Sequence, residues 1–292
     1  MRYIDDTVLM KRMKIRLNKN RGWKALFFAG TLFALLCLVI LLVRIVSQGV
    51  GYLDWDFITN FASRRPENAG IKAALVGSIY MMCIIAPVSV ILGVATAIYL
   101  EEYAKKNRIN DFIRMNISNL AGVPSIVFGL LGLTIFVRAL ALGKSLLAAG
   151  FTMSLLILPV IIVAAQEAIR AVPQEQREAS YGMGATKWQT ITRVVLPAAI
   201  PGILTGSILA LSRAIGETAP LVVIGIPVIL RFLPDSLFSE FTALPMQIYD
   251  WAKRPQEEFL YVASAGIIVL MIFLVIMNSI AIFIRNKFQK RY

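Results

Sequence analysis

The chain of 292 residues is 58% hydrophobic and only 16% charged, with a mean hydropathy of +0.72. Because an ordinary soluble domain has about 45–50% apolar and about 25% charged residues, this composition excludes a soluble globular enzyme as the leading interpretation, and it excludes a disordered chain. The sequence has no histidine and only two cysteines, Cys37 and Cys83, both within apolar runs. Histidine metal sites, histidine-based catalysis and cysteine zinc sites are therefore excluded, and no structural disulfide is expected.

Six apolar segments are long enough to cross a bilayer, whose hydrocarbon core of about 30 Å needs roughly 20 residues of helix. In chain order they are Trp23–Val46, Ala73–Leu100, Ile117–Val137, Leu146–Ala165, Ala199–Val223 and Tyr261–Ile284. The third segment is interrupted by Pro124, and the fifth contains Arg213 and Glu217. The sequence therefore predicts a single-domain, all-α, polytopic membrane protein with six transmembrane helices.

Basic residues are distributed unevenly between the two predicted sides of the membrane. Twenty of the 30 Lys and Arg residues lie in the tails 1–22 (counted with Lys24) and 285–292 and in the loops after the second and fourth spans. By the positive-inside rule both tails are cytoplasmic, and residues 23–284 form the transmembrane domain. The net charge of +13 thus reflects topology and contact with lipid, and nucleic acid is not expected as a partner.

The acidic segment between the fifth and sixth spans, residues 231–258, lies on the predicted outer side. Its middle part, Leu244–Ala252, begins with a Leu-Pro pair. Because proline is favoured in the first turn of a helix, this part predicts a short interfacial helix.

The predicted inner loop between the fourth and fifth spans, residues 166–197, has the pattern of two short helices joined by a glycine corner. Pro173 ends the preceding helix and precedes a run of good helix formers. Gly182 and Gly184 permit a tight turn, and the helix that follows is expected to end at Pro197. Its predicted apolar face consists of Trp188, Ile191 and Val195. Such a helix pair is suited to docking into a groove on a soluble protein.

The order of residues in this loop resembles the EAA loop of ABC-importer permeases, Glu-Ala-Ala-x3-Gly-x9-Ile-x-Leu-Pro. The chain departs from that pattern at Ser180, which replaces the second alanine, and at Val194, which replaces the isoleucine. The resemblance implies that the loop inserts into a cleft on a cytoplasmic ATPase. The positions that carry this implied coupling are Glu178, Ala179, Ser180, Gly184, Leu196 and Pro197.

Arg213 lies deep within the fifth span, where an arginine costs at least about 2.5–3.5 kcal/mol on insertion scales. Counted from Ala199, it is about 21 Å along the helix, and Glu217 follows one turn later on the same face. Gly216 adds no side chain beside this pair, so a substrate can approach the backbone there, and Pro220 breaks the helix. Two interpretations remain open, a structural ion pair and an anion site on a translocation path. The second is favoured because a guanidinium matches two oxygens of an oxyanion.

Three further sequence motifs narrow the resemblance to one group of permeases. They are Ser-Arg-Ala-Ile-Gly-Glu-Thr-Ala-Pro-Leu at 212–221, Ala-Gly-Val-Pro-Ser-Ile-Val-Phe-Gly at 121–129 and Ala-Leu-Val-Gly-Ser-Ile-Tyr at 74–80. With the loop, they resemble the phosphate-specific transport (Pst) permeases over about residues 50–284. Ser-Arg-Arg-Pro-Glu at 63–67 and Thr-Ala-Leu-Pro-Met-Gln-Ile at 242–248 resemble the PstA-type rather than the PstC-type subunit.

The resemblance implies a permease of a type I ABC importer in the cytoplasmic membrane of a prokaryote. The implied partners are a PstC-type second permease, two copies of a PstB-type ATPase and a PstS-type binding protein that delivers phosphate. ATP and magnesium would be bound by the ATPase, so this chain would have no catalytic residue, cofactor or metal of its own. The implied substrate path contains Arg213, Glu217, Ser212, Thr218 and Arg170, of which Arg170 equally suits a positive-inside anchor. The implied helix breaks or gates are Pro124, Gly216 and Pro220.

Three other functions compete with phosphate import. A permease for sulfate or molybdate would share the EAA-like loop and differ in the sequence motif around Arg213. An ion-driven secondary transporter usually has inverted repeats, which the sequence does not show. An intramembrane enzyme would need a nucleophile with a base or paired intramembrane carboxylates, and neither is present.

Overall fold

The computed structural model describes residues 6–105 and 107–288 of the chain. The basic residues Arg2, Lys106, Lys290 and Arg291, which contribute to the predicted topology, lie outside these ranges. Within them the secondary structure is helical, apart from one isolated β-bridge between Ser145 and Glu240. This confirms the predicted all-α class.

The long helices are α1 (Asp6–Gly49), α3 (Lys72–Ile98), α6 (Leu146–Arg170), α9 (Leu196–Gly216) and α12 (Glu258–Phe288). The shorter ones are α2 (Trp55–Thr59), α4 (Arg108–Leu120), α5 (Ser125–Gly132), α7 (Gln174–Gly182), α8 (Lys187–Thr190), α10 (Ala219–Ile224) and α11 (Leu244–Lys253). Three π-helical turns adjoin these helices. Tyr99–Tyr103 extends α3, Leu133–Ala139 extends α5, and Ile191–Val195 joins α8 to α9. The predicted tails 1–22 and 285–292 are thus partly helical, since α1 begins at Asp6 and α12 ends at Phe288.

The described part of the chain has five helical segments that are long and apolar enough to cross a membrane. A sixth is counted if α4 and the segment that begins with α5 form one span, although their axes differ by 104°. The predicted third span, Ile117–Val137, is therefore not one continuous helix, and the break lies at Pro124, the residue that was expected to interrupt it. Pro124 lacks an N–H group and disfavours a helical conformation in the residue before it. It becomes the N-cap of α5, after α4 has ended at Leu120.

The fifth span also differs from its predicted bounds, Ala199–Val223. Its helix ends at Gly216, because Glu217 has an extended backbone with φ −81° and ψ 121°. At the other end, helical structure runs from Lys187 to Gly216. Pro197 therefore does not end the coupling helix as predicted. The wider π-helical turn precedes this proline, and π turns and prolines are irregularities that a long helix accommodates.

Helix α6 is the most buried of the long helices and lies between α3 and α9. A Cβ atom at Gly202 would lie 2.8 Å from the Cβ of Ala168, and one at Gly206 would lie 2.3 Å from the Cβ of Ala164. Small residues thus allow close approach of the two backbones, as is common between membrane helices. The pairing also shows that α6 and α9 are antiparallel.

Helix α11 confirms the predicted short helix at Leu244–Ala252 to within one residue. Leu244 and Trp251 of this helix are buried. They pack with Phe259 and Val262 of α12 and with Ala74 of α3 in one apolar cluster. The apolar side of this amphipathic helix therefore faces protein.

We expect Gly77→Ala to lower the melting temperature of the detergent-solubilised protein. A Cβ atom at Gly77 of α3 would lie 2.0 Å from the carbonyl oxygen of Thr242, so the backbone must shift, at a cost of about 1–3 kcal/mol. Gly30→Ala is the matched control, because nothing lies within 4 Å of the added Cβ at that position. Equal melting temperatures for the two variants would contradict this packing.

Candidate functional site

The fifth span breaks at its charged residues. Arg213 lies in the last turn of α9, and Glu217 is the first residue after that helix. The Nε of Arg213 is 3.9 Å from Oε2 of Glu217, which is the longest ion pair in the described part of the chain. The Arg213 side chain is 54% exposed and that of Glu217 is 21% exposed. The guanidinium is therefore loosely paired and open to a ligand.

The residues next to this pair leave space on one side and form a polar contact on the other. Gly216 is exposed, and an added Cβ there would meet nothing within 4 Å. The Ser212 hydroxyl forms a 2.6 Å hydrogen bond with the side-chain oxygen of Asn278 on α12. Thr218 precedes α10 as its half-buried N-cap residue. Asn278 was not predicted as a site residue, although an amide inside an apolar span indicates a specific partner.

The two broken spans meet at their second halves. Helix α5, which follows Pro124, packs against α10, which contains Pro220. At their contact, a Cβ atom at Gly129 would lie 2.8 Å from the Cα of Pro220 and 2.9 Å from the Cβ of Val223. The structure thus brings both predicted helix breaks into one pair of half-helices, beside the loosely paired Arg213.

Arg170 lies elsewhere. Its Nε and Nη2 donate to the carboxylate of Glu101 at 2.9 and 2.8 Å, and its Nη1 donates to Glu167 at 3.0 Å. Since Ala168 faces Gly202 across the antiparallel α6–α9 pair, Arg170 is about 20 Å from Arg213 along the helix axes at 1.5 Å per residue. The structure therefore does not bring Arg170 together with the other residues of the predicted substrate path.

The predicted coupling loop has its expected glycine corner. Pro173 is the N-cap of α7, and Gly184 has a positive φ of +83°. Thr186 begins α8 with a capping box in which its hydroxyl accepts from the Gln189 N–H and the Gln189 side chain accepts from the Thr186 N–H. Such a box pairs two amide groups that a helix start otherwise leaves unsatisfied. The corner is therefore locally determined.

The coupling residues are placed differently around this corner. Glu178 and Ala179 are exposed, and the half-buried Ser180 places its hydroxyl 2.9 Å from that of Thr190. Leu196 and Pro197 are half-buried in the continuous helix that leads to α9. Of the six predicted coupling residues, Glu178, Ala179 and Gly184 are thus the exposed ones.

Large apolar side chains are exposed at the corner. Met183 is 89% and Trp188 is 64% exposed, and Tyr181 lies beside them in sequence. Trp188 was predicted to share an apolar face with Ile191 and Val195, but only the latter two are buried. The π-helical turn changes the number of residues per turn, so the period of 3.6 does not continue through it. An exposed apolar surface of this kind is typical of a site of contact with another protein or with the membrane.

In the described ranges, no group of three or more Cys, Asp or Glu side chains is placed to hold a metal ion. The arrangement around Arg213 can instead attract an oxyanion, because a guanidinium donates to two oxygens at once.

Known proteins show clear similarity to this chain. Residues 65–291 match the family described as "binding-protein-dependent transport system inner membrane component". The probable ABC transporter permease protein YqgI of Bacillus subtilis (strain 168) is 38% identical over 184 residues, which are 63% of each chain. The phosphate transport system permease protein PstA of Mycobacterium leprae (strain TN) is 36% identical over 276 residues, which are 91% of this chain and 88% of that protein.

The fold is also that of solved ABC transporter permeases. A chain of a bacterial alginate ABC transporter, in complex with its pentasaccharide-bound periplasmic protein, superposes with a TM-score of 0.62. It is 14% identical, and the match covers 92% of this chain and 96% of that one. The resemblance found in the sequence motifs is therefore confirmed, and the chain belongs to the family of binding-protein-dependent transport system inner membrane components, in which its relatives include PstA permeases.

Proposed function

We propose that this chain is the PstA-type permease subunit of an ABC importer that moves inorganic phosphate across the cytoplasmic membrane of a prokaryote. The observation that carries the proposal is the loosely paired, exposed guanidinium of Arg213 at the break between α9 and α10. The similarity to a protein named PstA along most of both chains supports phosphate as the substrate. The excess of basic residues on one side supports cytoplasmic termini.

In this proposal the chain works as one part of a larger assembly. A PstC-type permease pairs with it, two PstB-type ATPases lie beneath them, and a PstS-type binding protein supplies phosphate from outside. The exposed corner at Met183 and Trp188 docks into the ATPase. ATP and magnesium bind to the ATPase, so this chain carries no cofactor and catalyses no reaction itself.

The proposed mechanism is alternating access between the two sides of the membrane. ATP-driven closure of the ATPase displaces α7 and α8, and the attached helices open the outer side. Phosphate then meets the Arg213 side chain beside Gly216, where no side chain obstructs its approach to the backbone. Ser212, Thr218 and the half-helices that contain Pro124 and Pro220 complete this part of the path.

The experiment that tests the function is phosphate uptake in a bacterial host that lacks its own phosphate importers. The chain is expressed with its partner permease, ATPase and binding protein, and labelled phosphate, sulfate and molybdate are offered separately. Phosphate uptake that excess sulfate does not inhibit is the expected result. Uptake of sulfate or molybdate alone would overturn the substrate, and uptake without the ATPase would indicate a secondary transporter.

Glu217 is expected to contribute to the choice between oxyanions. At neutral pH phosphate retains a proton, and a carboxylate can accept a hydrogen bond from it. Sulfate has no proton at this pH, so a carboxylate only repels it. We expect Glu217→Gln to lower phosphate uptake about tenfold and to reduce the preference for phosphate over sulfate, because a hydrogen bond to a charged group contributes about 1.5–3 kcal/mol. Uptake of both anions by the assembled transporter is the measurement.

Glu257→Gln is the control for this variant, because Glu257 is an exposed carboxylate away from the helix break. It should leave both rates unchanged. Unchanged selectivity in Glu217→Gln would show that Glu217 has no part in recognition.

A further inference from the structure

Six charged side chains meet at the end of the bundle next to α7. We call this group, which has three negative and three positive members, the carboxylate cluster. Its members are Glu101, Glu102, Glu167, Arg114, Arg170 and Arg177. Only Arg170 among them was assigned a role from the sequence, and the structure gives all six a shared arrangement.

Glu101 is the centre of this group. Its side chain is only 9% exposed, and its carboxylate accepts hydrogen bonds from three residues on two helices. Arg114 of α4 donates at 2.8 Å and Gln166 of α6 at 2.9 Å, and Arg170 of α6 donates through two nitrogens. Arg114 also donates to the carbonyl oxygen of Leu100. The carboxylate therefore ties α4 and α6 to the end of α3.

Glu102 connects the same end of α3 to the coupling helix. Its side chain is 6% exposed, and it accepts a 2.6 Å hydrogen bond from Nη1 of Arg177 on α7. The other terminal nitrogen of Arg177 donates at 2.8 Å to the carbonyl oxygen of Ile169. A single guanidinium thus joins α7 to both α3 and α6.

The local backbone explains why two adjacent carboxylates face different partners. Residues Tyr99–Tyr103 form a π-helical turn, which is closed by the Ala104 N–H bonding to the carbonyl oxygen of Tyr99. Neighbouring side chains in a helical turn point in different directions, so Glu101 faces α4 and α6 while Glu102 faces α7. Such single π turns occur frequently at functional sites.

The two elements joined through these carboxylates are weakly packed. Neither α4 nor α7 contains a buried residue. Helix α7 also contacts α8 and the π-helical turn Ile191–Val195, and its Ser180 hydroxyl bonds to that of Thr190. Helix α4 adjoins the 104° bend that precedes α5. Helix α7 is therefore connected to the broken third span through Glu102 and the adjacent Glu101 at the end of α3.

We propose that Glu101 and Glu102 form a relay that transmits displacement of the coupling helix α7 to α4 and so to the α4–α5 bend. They are positioning residues, since they act through Arg177 and Arg114 and do not contact the transported anion. This inference rests on the proposed coupling function of α7. It also gives Arg170 a role in the relay at a distance from the substrate path.

The test uses the complete transporter with one fluorescent probe at a time. Cys37 and Cys83 are replaced by serine, and a single cysteine at Ile109 on α4 or at Glu175 on α7 carries an environment-sensitive fluorophore. Both positions are exposed, and neither belongs to the docking corner at Met183 and Trp188. In the wild-type background, a non-hydrolysable ATP analogue is expected to change the emission of both probes.

Glu102→Gln is expected to leave the response of the Glu175 probe intact and to reduce the response of the Ile109 probe at least fivefold. Phosphate transported per ATP hydrolysed should fall by a similar factor. Glu167→Gln is the matched control, because Glu167 is an exposed member of the cluster that bonds only to Arg170. It should leave both probes and the transport ratio unchanged.

Two further variants keep the test decisive if Glu102→Gln fails to assemble. Arg114→Gln breaks the connection at α4 and should also remove the change in emission of the Ile109 probe. The exchange Glu102→Arg with Arg177→Glu should restore at least half of the lost response. An Ile109 response that persists at its wild-type size in the assembled variants would overturn the relay.

Failure of the proposed function has a different outcome. If the Glu175 probe in the wild-type transporter does not respond to the ATP analogue, α7 is not the coupling helix, and the relay is overturned with it. The probes do not depend on the identity of the transported anion. A transporter that carries sulfate would therefore contradict the phosphate proposal and leave the relay supported.

Discussion

Phosphate uptake by the transporter with Arg213→Gln is expected to fall about 100-fold. Glutamine removes the positive charge and the two-pronged donor, and a charge-assisted hydrogen bond contributes up to about 3 kcal/mol, which corresponds to a factor of about 100. Arg213→Lys keeps the charge without the fork and should give an intermediate rate. Uptake is measured in proteoliposomes that contain equal amounts of assembled complex.

Arg231→Gln is the control, because Arg231 is an exposed arginine outside the helix break. The alternative, a structural ion pair, makes a different prediction. It requires Arg213→Gln and Glu217→Gln to lower the melting temperature equally and to leave uptake intact. The 3.9 Å separation and the exposure of Arg213 argue for the transport role, since an exposed ion pair contributes little to stability.

Gly184→Val is expected to reduce phosphate uptake at least tenfold while the chain still folds. With φ at +83°, this position disfavours any residue with a β-branched side chain. A Cβ atom there meets nothing within 4 Å, so the effect arises from the backbone and not from a clash. The corner between α7 and α8 would change direction and fit the ATPase poorly, so ATP hydrolysis would continue without transport.

Two matched variants isolate the backbone effect. Gly182→Val tests the other glycine of the loop, which also has open space but ends α7 without a positive φ. Gly184→Asn keeps a residue that tolerates positive φ. Both should retain most of the uptake. Normal uptake in Gly184→Val, or equal loss in all three variants, would contradict the role of the corner.

The uninterrupted apolar spans were predicted well from the sequence, because length and hydropathy alone determine them. Ala73–Leu100 and Leu146–Ala165 fall within helical segments that span a few more residues. The bounds of the two broken spans were predicted less well. Hydropathy continues through Pro124 and past Gly216, whereas the helices end before these breaks close. Both interruptions were visible in the sequence, but each predicted span extended across its break.

The site shows the same division between local and distant effects. The proximity of Arg213 and Glu217 follows from their spacing, although Glu217 lies beyond the helix end. The pairs Arg170–Glu101 and Ser212–Asn278 join residues more than 60 positions apart. Nothing in a single sequence identifies such partners. Adjacent acidic residues at the end of an apolar span, as at Glu101 and Glu102, were the available indication of an ion-paired cluster.

The most direct test of the account is anion uptake by purified, reconstituted transporter. The chain is assembled with its partner permease and ATPase in liposomes, and labelled phosphate or sulfate is added with the binding protein outside and ATP inside. The account predicts phosphate uptake that stops when ATP, the ATPase or the binding protein is omitted, with no sulfate uptake. Phosphate uptake that persists without ATP, or ATP-dependent uptake of sulfate in its place, would contradict it.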